Sequence, residues 1–375
     1  MNFILLFFYF ILIFVLILFL AEVFFRIAYF FKNKRKYNII DNNIINLLMY
    51  DHHPYIPYTY KKNFFIEKQH LRNDDKKKLD KYLYGVKTNS LGFSNGIIGD
   101  REISVPKPKN IYRINCLGAS TTAQYLHENN KILSYPIALE EELNLNLKKN
   151  NKSVEVNNFG IGGWNSADIL INFLLNVFDT KPNMIVIYHA YNDLGISLTD
   201  NFKSDYSHSK INFAYNFSKL EILKKFINIK FQFYNYCVLS FLGIKYKEPE
   251  IHGQTETLKP NINNEFKGFN TYQRNLELII KICKSSNIEV VISTFVHLKT
   301  EEEIINKLEK KYLNGLKYEN KIIKELATKY NLTLVDNESL IPKEIDLFTD
   351  PIHFSHKGMR AISANFSKKI LELLN

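Results

Sequence analysis

Apolar residues run without a break from position 3 to 21, are interrupted only by Glu22 and Arg26, and give way to Lys32, Lys34, Arg35 and Lys36. At 1.5 Å per residue such a run covers a hydrocarbon core of ~30 Å, so residues 1–31 are expected to form one transmembrane helix. A cleaved signal peptide is the rival. The run exceeds an ordinary signal core, no cationic stretch precedes it, and no small-residue cleavage site follows, which favours an uncleaved anchor. Glu22 and Arg26, four apart, can pair at the interface, where an arginine can also snorkel. The basic cluster follows the helix, so the positive-inside rule places the remainder in the cytoplasm, with an envelope-facing body as the alternative. No second run of this length occurs, and the remainder is expected to be one soluble body.

From 32 to 109 the periodicity is lost. The stretch is polar and Tyr-rich, with Pro54 and Pro57 as breakers and a Lys/Asp-rich segment at 73–81, and reads as a stalk and N-terminal extension without chemistry of its own. Past Pro106 and Pro108, short runs rich in β-branched or aromatic residues at 111–117, 154–159, 184–188, 289–295 and 333–335 predict strands. Helical spacing occupies 132–148, 166–178, 271–285, 301–329 and 357–374; in the last, Met359, Ile362, Phe366, Ile370 and Leu373 share a face and Ser355 is placed to cap it. Strand alternating with helix predicts an α/β domain over 110–375, a parallel five-stranded sheet between helices in three layers. Residues 195–270 break the rhythm. They read as an insertion with a helical stretch near 220–230, acting either as a lid or substrate wall or as loosely packed extra chain.

Composition narrows the function classes. The net charge of +11 comes from 42 Lys and only 7 Arg, scattered with no basic face beyond short runs at 32–36 and 76–78, which argues against nucleic acid as a partner. Aromatic residues form 14% of the chain, enough apolar surface for a sizeable core. Cys116, Cys237 and Cys283 match no metal or redox spacing and are expected to be small buried hydrophobes. The ten histidines include no HExxH, and His353 with His356 lack further ligands, so neither metal nor cofactor is expected.

Candidate chemistry gathers at the carboxyl ends of the strands, where open α/β sheets place ligands. The first strand ends in Gly118-Ala119-Ser120-Thr121-Thr122. The second ends in Gly160-Ile161-Gly162-Gly163, whose backbone can expose amide N–H groups as an oxyanion site requires. The third ends in His189-Ala190-Tyr191-Asn192-Asp193, delivering a carboxamide, with Asp193 as a brace. After the fifth comes Asp350-Pro351-Ile352-His353: an Asp three residues before a His can fix the imidazole tautomer and leave the other nitrogen free to take a serine proton. Each block alone is ordinary cap or turn chemistry.

Taken together and in this order, GxST at Ser120, the Gly163 loop, Asn192 and DxxH at Asp350 and His353 resemble the SGNH (GDSL-type) hydrolase family. Asn89-Ser90-Leu91-Gly92-Phe93 resembles an N-terminal element of its membrane-anchored members. The resemblance implies a flavodoxin-like three-layer fold, Ser120 as nucleophile, His353 as general base and Asp350 as its orienting group. It also implies an oxyanion hole from the N–H groups of Ser120 and Gly163 and the side chain of Asn192. Ala190 stands where the family often has Gly, and the three glycines leave the second block's alignment ambiguous by a few positions. The GxSxG elbow of α/β-hydrolases fits less well, since Thr122 occupies the second glycine position. The implied activity is a serine esterase or deacylase acting on an acylated lipid, glycan or small ester. An O-acyltransferase of cell-envelope glycans using the same residues and a catalytically silent binding protein are the alternatives.

Overall fold

The computed structural model describes residues 3–32, 50–51, 53–64, 87–128, 131–147, 153–209, 233–234, 237, 260–299, 303 and 306–374. The chain divides into two compact units, 1–50 with 213–251, and 51–212 with 252–375.

The first unit contains helix α1 (Phe3–Lys32). Its Leu5–Ala28 stretch has a mean hydropathy of 2.9 and is long and apolar enough to cross a membrane, the property that anchors and signal sequences share. Arg26 Nε donates to Glu22 Oε1 at 2.7 Å, the expected pair. Glu22 also accepts the Phe233 N–H at 2.5 Å, and the Phe25 and Phe233 rings meet edge-on at 6.2 Å.

The second unit is built on five strands: β1 (Ile111–Gly118), β2 (Ser153–Asn158), β3 (Met184–Tyr188), β4 (Glu289–Ser293) and β5 (Thr333–Val335). They form one parallel sheet in the order β2-β1-β3-β4-β5. Central β3 is buried at every position, as a strand covered on both faces must be. Helices α2 (Tyr135–Leu147) and α6 (His356–Leu374) pack on each other, as do α3 (Ser166–Asn172), α4 (Phe269–Ser285) and α5 (Lys307–Tyr330), completing the expected three-layer α/β fold. Ser355 caps α6 by accepting the Gly358 N–H at 3.2 Å.

Boundaries move where local chemistry competes with periodicity. Leu126–Glu128 and Lys131–Leu133 form an antiparallel hairpin, so α2 starts only at Tyr135, with Pro136 in its first turn. The α3 segment leaves the α-helix at Phe173–Val177, a π turn, and ends in a 3-10 turn at Phe178–Thr180. Helix α5 begins at Lys307 because Asn306 caps it, accepting from the N–H groups of Leu308 and Glu309. Cys116 and Cys283 are buried as expected, whereas Cys237 is exposed, a correction to the expectation for all three. The helical expectation near 220–230 lies outside the described residues, as does most of the 195–270 insertion.

Candidate active site

Between β1 and β3 the sheet order reverses, and the ends of these strands deliver Ser120 and Asn192 to one edge. A Cβ on Gly118 would lie 2.0 Å from Thr122 Oγ1 and 2.5 Å from the Tyr188 carbonyl, so only glycine lets β1 turn so close to β3. The chain then enters a single helical turn (Ser120–Ala123) in which Thr121, Thr122 and Ala123 are buried and Ser120 is half-exposed. That is the disposition of a side chain offered to a ligand.

The glycine loop lies directly against this turn. A Cβ on Gly160 would meet the Ala123 nitrogen at 2.5 Å, and one on Gly162 would lie 3.9 Å from Ser120 Cβ. Gly163 has φ +80°, a left-handed conformation that favours glycine. Asn158 stitches the two together, donating to the Thr122 carbonyl at 2.8 Å while its Oδ1 accepts the Gly160 N–H at 2.9 Å. The N-terminal extension, expected to carry no chemistry, grips the same loop. Tyr58 Oη donates to the Gly162 carbonyl at 2.6 Å, and Trp164 Nε1 donates to the Tyr58 carbonyl at 3.0 Å.

Asn192 follows a tight γ-turn in which Tyr191 takes φ 74° and ψ −50° and the Asn192 N–H reaches back to the Ala190 carbonyl at 2.9 Å. One hydrogen of its carboxamide goes to the Trp164 carbonyl at 2.7 Å, which ties Asn192 to the glycine loop and leaves the second hydrogen for another acceptor. Asp193 braces the loop as expected, accepting from Ser166 N and Oγ, Tyr206 Oη and His189 Nε2.

In the last loop Asp350 Oδ1 accepts the N–H groups of Ile352 and His353 at 3.0 and 2.9 Å, and Oδ2 lies 2.7 Å from His353 Nδ1. Burial works to raise the Asp350 pKa, but the imidazole bond, the imidazole's charge and the two backbone N–H groups outweigh it and hold the carboxyl below its ordinary value. An ionised Asp350 demands a proton on Nδ1, which leaves Nε2 as the basic nitrogen. His356 opens α6, at its N-terminus.

The family profile of GDSL-like lipases and acylhydrolases matches residues 116–361, from the end of β1 into α6. The chain belongs to this family. Membership implies hydrolysis of an ester. No curated protein is matched by the sequence. Among solved structures, the chain is similar to a lipase/acylhydrolase from Enterococcus faecalis at 18% identity, covering 70% of this chain and 96% of that one with a TM-score of 0.41. An acetylxylan esterase from Geobacillus stearothermophilus aligns at 12% identity over 69% and 94% of the two chains, TM-score 0.43. A GDSL-like lipase from Bacteroides thetaiotaomicron aligns at 13% over 70% and 89%, TM-score 0.39.

The structure thus brings Ser120 against the glycine loop, Asn192 against Trp164 of that loop, and Asp350 onto His353. Sequence reasoning missed Gln124, which bonds to the main chain of Phe354, and the tyrosine support from residues 58 and 60. A single sequence holds no signal for partners so far apart in the chain.

Proposed function

We propose that this protein is a membrane-anchored serine esterase or deacylase. Ser120 attacks the ester carbonyl, His353 Nε2 takes the hydroxyl proton and passes it to the leaving alcohol, and water then cleaves the acyl-enzyme by the same route. Asp350 holds the imidazole and stabilises its charged form. The N–H groups of Ser120 and Gly163 and the free carboxamide hydrogen of Asn192 receive the oxyanion. Residues 1–31 serve as the anchor, 32–109 as stalk and extension, and 110–375 as the hydrolase domain with its insertion at 195–270. The observation that carries the reading is the 2.7 Å bond from Asp350 to His353 Nδ1, in a chain of this family whose half-exposed Ser120 lies at the sheet's switch point.

Fluorophosphonate labelling with peptide mapping tests it. Covalent modification at Ser120 in the folded protein, absent from Ser120→Ala, is the expected result. A folded protein that resists the probe would remove the nucleophile assignment and leave the silent-binder alternative.

A further inference from the structure

His353 and Ser120 lie on loops more than two hundred residues apart, and the reaction requires their atoms to stay within hydrogen-bonding reach. Gln124 joins these loops. Its backbone N–H closes the Ser120 turn by donating to the Ser120 carbonyl at 2.7 Å. Its side chain donates from Nε2 to the Phe354 carbonyl at 2.9 Å and accepts the Phe354 N–H at Oε1, 3.0 Å. Gln124 is buried, and Phe354 is held with its ring against Phe348 and Tyr188 at 5.1 and 6.3 Å.

The main chain at the base is therefore fully engaged. The His353 N–H goes to Asp350, the His353 carbonyl accepts from Thr349 at 2.8 Å, and both groups of Phe354 go to one carboxamide. Asp350 and Thr349 belong to the same loop as His353, so they set its shape. Gln124 alone among these partners belongs to the nucleophile's turn, so it sets where that loop stands relative to Ser120.

We propose that Gln124 is a positioning residue that holds His353 in register with Ser120 through the two-point bond to Phe354. The inference rests on the assignment of Ser120 and His353 above. A carboxamide suits the task because the Phe354 peptide presents a donor and an acceptor side by side, and Gln offers the complementary pair. A neutral glutamic acid can reproduce that pair, its carbonyl accepting and its hydroxyl donating. A glutamate cannot, because it would face the Phe354 carbonyl with a lone pair.

The test uses the full-length protein in detergent, with p-nitrophenyl acetate hydrolysis, the rate of fluorophosphonate labelling at Ser120, and thermal unfolding measured for wild type, Gln124→Ala and Gln124→Glu. Gln124→Ala is expected to lower kcat by about 10- to 100-fold with KM little changed, the cost of a displacement near 1 Å between reacting groups, and to slow labelling in parallel. For Gln124→Glu, the ratio of its kcat to that of wild type is expected to be highest in acid and to fall as pH rises, an ionisation the wild type lacks. A ratio flat with pH and near one, with Gln124→Ala as active as wild type, would overturn the proposal. So would failure of both variants to fold at every pH, which would make the bond a folding element only. If wild type itself is not labelled, the Ser120 assignment fails; if wild type is labelled and the variants match it, only the role of Gln124 falls.

Discussion

Tyr191 adopts a positive-φ turn that costs a residue with a Cβ about 1–3 kcal/mol, a strain that persists only where surroundings over-determine it. Here they do: Glu319 accepts the Tyr191 N–H at 2.9 Å, and the Tyr191 ring stacks on Phe295 at 6.4 Å. The strained turn aims the Asn192 carboxamide at the glycine loop. Asn192→Ala is expected to lower kcat by about 10²- to 10³-fold with substrate binding retained, as loss of one oxyanion donor does, and steady-state kinetics on a short acyl ester would show it. Asp350 yields a second expectation with a definite sign. Its folded pKa lies below the unfolded value of about 3.9, so its contribution to stability is present above that pH and disappears as pH falls through the folded value. The stability gap between wild type and Asp350→Asn should therefore close as unfolding is measured from pH 6 into strong acid; a gap that stays constant would contradict the bond.

Two elements carry buried ionisable side chains, Glu319 on α5 and Arg113 on β1. Helix α5 carries Glu319, which is buried beside the Asn192 loop; burial first, then the nearby Asp193 carboxylate, push its pKa well above the ordinary value, against the opposing Tyr191 N–H bond. An acid with a raised folded pKa costs stability as pH climbs above its unfolded value of about 4.3. Glu319→Gln keeps an acceptor for Tyr191 without the charge, so its stability relative to wild type should rise steadily with pH, as thermal unfolding between pH 5 and 9 would register. On β1, Arg113 is fully buried and bonds Glu155 Oε1 at 2.8 Å and the Thr180 and Ser104 carbonyls at 2.6 and 3.0 Å. Arg113→Ala strips these partners of their cation and is expected to cost about 3–5 kcal/mol in denaturant unfolding, since a broken buried pair leaves uncompensated polar groups.

At the scale of the whole molecule, α1 has the length and apolar character that anchors and signal sequences share, and the proposed anchor can be tested directly. Within the first unit, the Phe233 N–H goes to Glu22 and the Phe233 ring meets Phe25, contacts that the proposed uncleaved anchor would keep. Recovered from cells, the protein is expected to keep its full 44.1 kDa and to stay with membranes through an alkaline carbonate wash. A soluble species roughly 3 kDa lighter would mark a signal sequence instead.

Strand and helix alternation, the long apolar run and the four chemical blocks are local matters, written in spacing over a few residues, and for that reason they were legible in the chain. So was the Asp350 and His353 pair, since its members lie three positions apart. What periodicity could not supply were interruptions set by local competition, such as the hairpin ahead of α2 and the π turn after α3. Nor could it supply contacts between distant segments. The grip of Tyr58 on Gly162, the reach of Glu319 to Tyr191 and the clamp of Gln124 on Phe354 join residues 104, 128 and 230 positions apart. Local propensity carries no information about such pairs. They exist because a parallel sheet in this strand order brings its loops to one edge, and only there do buried polar groups find the partners that burial requires.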